Sequence, residues 1–329
     1  MAAARQEGKV VLGVPPGPQY QPAITSGFEK AYPGIAVEIT NIHAAGFTAR
    51  VAKERAAGVF AWDAWIGGPD VDVYQLANDG VFDPFKPEIV LPEALDDSKW
   101  MEGFDAGFSD KGKKFTYDLG ANGGGRIFAN RDFVPESALA TWEDLWKPEF
   151  KGKIVWQDPR QSGSGVSTAS IMLKLYGEQK LRDLWSQQQV TISTDERQMA
   201  DWLARGTQPL GVGLVRNRGI DLLQQQGVGR NIQPVASPVV TNSPGAHAVV
   251  AINRPPHPNA RKVMLNWLLT QDGQRILADA AKVNSRRLDV PIVDPSTAVP
   301  KDAKTFNPQA EEFAPLRQQA NKIAQEIFK

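Results

Sequence analysis

The sequence predicts an α/β protein of two domains, with the second domain inserted into the first. Its 329 residues are more than one hydrophobic core usually spans. Short apolar runs alternate with amphipathic runs, which is the pattern of a mainly parallel sheet flanked by helices. Two extended stretches, near residues 115–130 and 234–244, divide the chain. We therefore assign one domain to residues 1–122 and 246–329, and the other to residues 123–245.

The first domain opens with three predicted strands, each followed by a loop that contains glycine. The strands lie at residues 9–14, 35–39 and 63–66, with one helix ending at residue 31 and another at 47–57. Open α/β sheets bind ligands at the edge where the carboxyl ends of parallel strands meet, so the three loops should lie together. Plain turn chemistry explains their glycines equally well. The loops carry Pro16 and Gly17, Ala45 and Gly46, and Gly67 and Gly68.

The second domain is organised around residues 141–177, which combine a short helix, a strand at 153–156, a turn and an amphipathic helix. The turn Ser162-Gly163-Ser164-Gly165 places backbone N–H groups and two hydroxyls at the positive end of that helix, which suits an anion. A turn in which serine simply caps the helix is an equally good explanation. No Lys-Ser or Lys-Thr follows the glycines, so the turn is not a P-loop.

Arginine is the second candidate contact for an anion, because its planar fork matches carboxylate and phosphate groups. A predicted strand at residues 209–215 is followed by Arg216, Asn217 and Arg218, and Arg126 lies in the first extended crossing. We expect Arg216 or Arg218 to clamp an anion with help from Arg126, and the choice between the first two stays open. A solvated loop arginine is the ordinary alternative.

The last part of the chain returns to the first domain. It predicts a strand at residues 246–252, helices at 260–269 and 272–281, and a closing helical tail at 301–329. Two extended crossings between the domains would allow two lobes to rotate and close on a ligand.

Composition excludes several classes of function. Lys plus Arg (37) equals Asp plus Glu (37), so no overall field attracts nucleic acid or an anionic membrane surface. No apolar run approaches the roughly 18–20 residues of a membrane helix. The absence of cysteine excludes thiolate nucleophiles and zinc–cysteine sites. His43, His247 and His257 lack the spacing of a metal site, and Ser164 lacks the Gly-x-Ser-x-Gly context of a nucleophile.

Several phrases, in this order and spacing, resemble one family over nearly the whole chain. The chain is similar to the extracellular solute-binding proteins of ABC importers, which have the type II periplasmic-binding-protein fold, and most similar to the branch with ferric-ion-binding proteins. The phrases are QEGKVV (6–11), FEKAYPGIAVE (28–38), WEDLWKPEFKGKI (142–154), DPRQSGSG (158–165), PHPNARK (256–262) and NWLLTQDGQ (266–274).

The resemblance implies a periplasmic binding protein, and we expect a monomer without catalytic activity, cofactor or metal. Each lobe would be a mixed, mainly parallel sheet flanked by helices, and one ligand would lie in the cleft between the lobes. The closed form would dock on an ABC permease of the inner membrane. Met1-Ala-Ala-Ala-Arg resembles a start placed before a trimmed mature N-terminus, although a cytosolic start would look much the same.

The resemblance also bears on the ligand. Ferric binders of this branch use a histidine after the first strand, a glutamate after the third and two tyrosines after the strand near residue 212. The corresponding places here hold Gly17, Gly67, and Arg216 with Asn217. Glycine and arginine disfavour a trivalent cation and favour an anion, and loops without carboxylates also disfavour polyamines. Non-iron members of the branch imply a small organic anion: a phosphonate, phosphate ester or carboxylate.

The predicted ligand site draws on both domains. The anionic head would lie on the turn formed by residues 162–165, clamped by the arginines. The first domain would cover the organic part. The contacts predicted there are Pro16, Gly17, Tyr20, Phe47, Gly67 and Gly68.

Three alternatives stay open beside this prediction. The chain could be a ferric-ion-binding protein of the same family. It could be a two-lobed module that reports a ligand to a receptor, since only the docking partner differs. It could also be an anion-dependent enzyme on the same fold, although the hydroxymethylbilane synthase kind attaches its cofactor to a cysteine and this chain has none.

Overall fold

The computed structural model describes residues 1–17, 19–123, 126–214, 219–300 and 303–329. These residues form two compact units. The first unit comprises Met1–Gly123 and Thr241–Glu312, and the second comprises Gly124–Val240 and Phe313–Lys329.

The strands and helices alternate through most of the chain. The strands are β1 Lys9–Val14, β2 Ala36–Asn41, β3 Ala64–Gly67, β4 Phe82–Asp83, β5 Tyr117–Asp118, β6 Ile127–Asn130, β7 Ile154–Gln157, β8 Thr191–Ser193, β9 Leu210–Val212, β10 Ile232–Pro234, β11 Val240–Thr241, β12 Ala248–Ile252 and β13 Thr305–Phe306. The α-helices are α1 Ala2–Glu7, α2 Tyr20–Ala31, α3 Ala44–Ala56, α4 Val71–Asn78, α5 Ser164–Tyr176, α6 Glu178–Gln187, α7 Glu196–Arg205, α8 Ile220–Gln225, α9 Pro258–Leu268, α10 Gln271–Ala281 and α11 Ala314–Ile327.

Short 3₁₀ helices connect many of these elements. They lie at Lys86–Glu88, Pro92–Ala94, Asp97–Lys99, Asp105–Gly107, Trp142–Trp146, Pro148–Phe150, Pro295–Thr297 and Glu311–Phe313. None of the described helices is long and apolar enough to span a lipid bilayer.

The first unit is built on a six-stranded sheet in the order β2-β1-β3-β12-β4, with β5 also pairing with β12. Strands β1, β2 and β3 are parallel, whereas β12 runs antiparallel to β3. One face is packed by α2, α9 and α10 around Ile24, Phe28 and Leu265, and the other by α3 and α4 around Phe47 and Trp65. Burial on both faces explains the apolar sequence of β1.

The second unit has a five-stranded sheet in the order β10-β6-β9-β7-β8. Strand β7 is parallel to β8 and β9, and β6 is antiparallel to β9. Helix α7 begins at a capping carboxylate, because Asp195 accepts hydrogen bonds from the amides of Arg197 (2.9 Å) and Gln198 (3.1 Å). Its apolar face, with Met199 and Leu203, is buried in the core of this unit.

The closing helix differs from the sequence prediction, which placed all of residues 246–329 in the first domain. Helix α11 packs against α5 and α6 and belongs to the second unit. Ala320, Ile323 and Ala324 form its buried face. At its end Arg182 of α6 pairs with Glu326 at 2.7 Å. An amphipathic tail can cover any apolar surface within its reach, so its sequence could not identify the unit that it covers.

Helix α3 also differs from its prediction, because it begins at Ala44 rather than at residue 47. Ala45 and Gly46, predicted as a loop, form the first turn of the helix. His43 has extended backbone angles (φ −73°, ψ 161°) and is the residue before the helix, but its side chain makes no capping hydrogen bond. The missing capping signal explains why the sequence placed the start three residues late.

Candidate functional site

The strand register brings several loops of the first unit to one edge of its sheet. Strands β1 and β3 end at Val14 and Gly67, and β12 starts beside Gly67 because Ala248 is its partner. Residues 15–17, 68–69 and 245–247 therefore share the carboxyl edge. Pro16 is exposed, and Gly17 and Gly68 are partly exposed there. A side chain at position 68 would contact the carbonyl oxygen of Gly245.

Tyr20 lies at this edge but is 4% exposed. Its hydroxyl is 3.2 Å from Nδ1 of His247, and the two rings meet edge to face at 5.3 Å. Burial raises the pKa of the tyrosine hydroxyl above its ordinary range. The hydroxyl is thus neutral and held by His247, and the ring is covered, which differs from the predicted role as an open aromatic surface.

Phe47 lies in the core and is not at the surface, in contrast to its prediction as a ligand contact. Its ring is 0% exposed and stacks on Trp65 at a centroid distance of 4.6 Å and an angle of 5°. Gly67 is also explained by packing, because a Cβ atom there would lie 1.8 Å from Cζ2 of the Trp65 indole. Both residues pack against a buried tryptophan. Local packing and turn chemistry, rather than the approach of a ligand, therefore explain the glycine at position 67.

Substituting Gly67 with alanine should therefore destabilise the first unit. We expect a loss of about 1–3 kcal/mol in the free energy of unfolding, because the indole is confined by Phe47 and cannot move aside. Urea unfolding followed by tryptophan fluorescence measures the loss. Gly17→Ala is the matched control, since its new methyl group would meet only Cβ of Tyr20, at 3.7 Å. Equal stability of the two variants would contradict the packing explanation.

The second unit presents a row of three residues at the carboxyl edge of its sheet. Gly213 follows β9 and donates its N–H to the carbonyl oxygen of Arg126 at 2.7 Å. Because Val212 pairs with Trp156, Gly213 also lies beside Gln157, the last residue of β7. A Cβ atom at position 213 would be 2.7 Å from Cα of Gly165, so the start of α5 packs directly on this row.

The turn before α5 keeps only part of the hydrogen-bonding capacity predicted for it. The Gly165 amide donates to Oε1 of Gln157 at 2.7 Å, and the Ser164 hydroxyl donates to the Gly213 carbonyl at 2.6 Å. Within the described chain, the amides of Gly163 and Ser164 donate no hydrogen bond. Ser162 and Gly163 are exposed. The N-terminus of α5 therefore retains unused N–H groups, but the Ser164 hydroxyl is already used.

Arg126 is the charged residue of this edge. The residue is partly buried, and its Nε atom is fully buried without a hydrogen-bond partner among the described residues. Across residues 1–17, 19–123, 126–214, 219–300 and 303–329, no carboxylate forms an ion pair with it. Loss of hydration lowers the pKa of the guanidinium to about 10, so it remains charged at neutral pH. A desolvated cation without a counter-ion attracts an anion.

The predicted clamp residues Arg216, Asn217 and Arg218 lie outside the described residues and stay predictions. The structure also adds two polar residues that the sequence prediction missed. Gln157 contacts the start of α5, and His247 contacts Tyr20. A polar residue at the end of a predicted buried strand could have signalled Gln157. His247 had no such signal, because nothing local indicates that β12 enters its sheet antiparallel.

A protein-bound metal finds no ready set of ligands in these units. The described residues contain no group of three or more His, Cys, Asp or Glu side chains that could hold a metal ion. His257, for example, points Nδ1 at the buried carboxylate of Asp63 at 2.9 Å. Burial raises the pKa of that carboxyl group.

The chain is similar in sequence to one large bacterial family. The profile described as bacterial extracellular solute-binding protein matches residues 23–218. An uncharacterized protein of Haemophilus influenzae is 22% identical over 228 residues, which cover 65% of this chain. The matched region spans 60% of that relative's length.

Solved structures resemble the chain over nearly its full length. The periplasmic binding protein P5PA has a TM-score of 0.73 at 16% identity, covering 98% of this chain and 100% of its own. Iron-bound HitA from Pseudomonas aeruginosa has a TM-score of 0.73 at 15% identity, covering 97% and 99%. AfuA from Actinobacillus pleuropneumoniae, with fructose-6-phosphate bound, has a TM-score of 0.70 at 18% identity, covering 98% and 99%. At these identities the likeness shows the fold, and it confirms the predicted two-lobed, type II periplasmic-binding-protein class.

Proposed function

This chain belongs to the family of bacterial extracellular solute-binding proteins, and from that membership we propose that it captures a small organic anion for an ABC importer. Members of the family bind small ligands outside the cytoplasmic membrane and deliver them to ABC permeases, and we infer a periplasmic location for this chain. The family and the fold are those of binding proteins. The ligand class proposed is a phosphonate, a phosphate ester or a carboxylate.

The observation that carries the proposal is Arg126, which lies in the row of residues on which α5 starts. Its Nε is buried without a hydrogen-bond partner, and no carboxylate within the described chain pairs with it. The arginine carbonyl binds Gly213, and Gly213 packs against Gly165 of that helix. The helix end adds a partial positive charge and the amides of Gly163 and Ser164. The guanidinium and the helix end are both positive, and both supply hydrogen-bond donors. Together they favour a head group with negative charge and several acceptor oxygens.

Iron is the main competing ligand, because HitA is an iron-bound relative in fold, whereas AfuA binds a sugar phosphate. The chemistry of the described edge favours an organic anion such as a sugar phosphate over iron. A ferric ion requires anionic oxygen donors, and the edge of the second unit offers a guanidinium and N–H groups instead. Arg216 or Arg218 remains the predicted clamp, and Pro16, Gly17 and Gly68 remain the predicted contacts for the organic part.

A thermal-shift screen of the purified chain, followed by calorimetric titration of each hit, tests this proposal. The probes are fructose 6-phosphate, methylphosphonate, inorganic phosphate, citrate, spermidine and ferric nitrilotriacetate, with nitrilotriacetate alone as a control. A ligand that binds only the folded state raises the melting temperature by mass action. We expect a shift with one class of organic anion. Stabilisation by ferric nitrilotriacetate alone, with none by any anion, would overturn the proposal.

A further inference from the structure

Gln157 joins the start of α5 to a second helix of the same unit. Its Oε1 accepts the Gly165 amide at 2.7 Å and lies 3.0 Å from the Ser164 hydroxyl. Its Nε2 donates to Oε1 of Glu196, in the first turn of α7, at 2.8 Å. Only the carbonyl oxygen can accept from an amide, and only the amide nitrogen can donate to a carboxylate. Both ends of the side chain therefore fix its orientation.

This arrangement caps the helix with a neutral group. The Gln157 oxygen satisfies one backbone donor of α5 and brings no formal charge to the helix end. A glutamate at the same position would make the same hydrogen bond to Gly165, but it would cancel the positive field of the helix. It would also face Glu196 as a second carboxylate. The carboxylate of Glu196 is thus separated from the helix end by the Gln157 side chain.

A second observation, independent of the helix, favours an anion at the same edge of the sheet. Arg126 precedes β6, and its carbonyl oxygen accepts the Gly213 amide, next to Gln157 in the sheet. Its buried Nε has no hydrogen-bond partner. A carboxylate in this row of the sheet would pair with both positive groups and compete with an anionic ligand, whereas the neutral amide of Gln157 leaves them available.

We propose, resting on the function proposed above, that Gln157 determines the charge of the ligand, and that Glu196 holds its amide in the orientation that keeps the site selective for anions. The side chain therefore acts as a specificity-determining residue rather than only as a helix cap. The ligand class is an oxyanion head group, as found in phosphonates, phosphate esters and carboxylates. Glu196 acts through Gln157 as a positioning residue.

Exchanging the two side chains tests the proposal, because Q157E with E196Q keeps the net charge and reverses the same hydrogen bond. The carboxylate at position 157 accepts from Gly165, and the amide at position 196 donates to it. Only the position of the negative charge changes. We expect the double variant to melt within a few degrees of the wild type, whereas like-charge repulsion weakens its binding of the anions found in the screen by at least about tenfold.

Asp201→Asn is the matched control, because it also removes a carboxylate of α7, but one that pairs with the exposed Arg205. It leaves Gln157 and Glu196 unchanged, so its affinity should stay within about threefold of the wild type. If the wild type binds an anion and the double variant binds it equally well, the specificity role of Gln157 is overturned while the proposed function stands. A wild type that binds no anion in the screen overturns the proposed function, and this inference with it.

Discussion

Replacing Arg126 with alanine is expected to weaken the binding of organic anions by about 2–5 kcal/mol, the usual effect of removing one member of a desolvated charge pair. Arg126→Lys should recover only part of the loss, because an ammonium group does not reproduce the planar fork of a guanidinium. Isothermal titration with the best anion of the screen measures both variants. Arg205→Ala is the matched control, since Arg205 is an exposed arginine of the same unit that pairs with Asp201 at 2.8 Å.

The stability of the unliganded variant distinguishes a binding arginine from a structural one. A guanidinium that lost its hydration and gained no protein counter-ion opposes folding, so removing it should not lower the melting temperature of the ligand-free chain. If Arg126 had a structural role instead, its removal would lower the melting temperature of the ligand-free chain. Loss of stability together with a change in affinity below about threefold would contradict the assignment of Arg126 to the ligand.

The second large effect concerns Asp118 in β5 and the pH dependence of stability. Its carboxylate is 5% exposed and accepts hydrogen bonds from the Ser109 hydroxyl and from Nδ2 of Asn307, both at 2.9 Å. Burial raises the pKa of Asp118 from 3.8 to about 7, with nearby Arg286 opposing and Asp110 reinforcing the shift. The folded chain thus keeps a proton that the unfolded chain releases near pH 4.

The free energy of unfolding should therefore fall as the pH rises from about 4 to about 7, because the folded state binds more protons than the unfolded state in this window. The decrease reaches up to about 4 kcal/mol, since one pKa unit corresponds to about 1.4 kcal/mol. Asp118→Asn should remove this contribution. An amide at position 118 can still accept from Asn307 and donate to the Ser109 oxygen.

Urea unfolding at pH 5, 6, 7 and 8 measures this effect in the wild type and in Asp118→Asn. The control is Asp279→Asn, because Asp279 is an exposed carboxylate of α10 in the same unit. The wild type and the control should lose stability with rising pH, and Asp118→Asn should lose less. Parallel curves for all three proteins would show that Asp118 does not carry a buried proton.

Several elements were predictable because their signals are local. The apolar run of β1 and the Gly-Ser turn before α5 identify a buried strand and a helix start from a few consecutive residues. The alternation of such signals was sufficient for the fold class. The start of α3 was misplaced because His43 carries no capping hydrogen bond, so the local signal that usually marks a helix start is missing.

The candidate site was less predictable because its chemistry depends on partners far apart in the chain. Ser164 and Gly165 have the composition of an anion cradle, yet part of their capacity is used by Gln157 and Gly213. Phe47 has the composition of a ligand contact, yet it stacks on Trp65. The residue type determines which hydrogen bonds and contacts a side chain can make. The neighbours brought by the fold decide which of them remain available to a ligand.

The sequence by itself determined the α/β class, the family and the presence of a Gly-Ser turn at a helix start, because periodicity, turn residues and capping act over a few residues. Only the tertiary structure decided that β12 enters its sheet antiparallel and brings His247 to Tyr20. It also decided that α11 covers the second unit and that Gln157 occupies the end of α5. These contacts join residues distant in sequence, and they are selected by the packing of whole faces and by the satisfaction of buried polar groups.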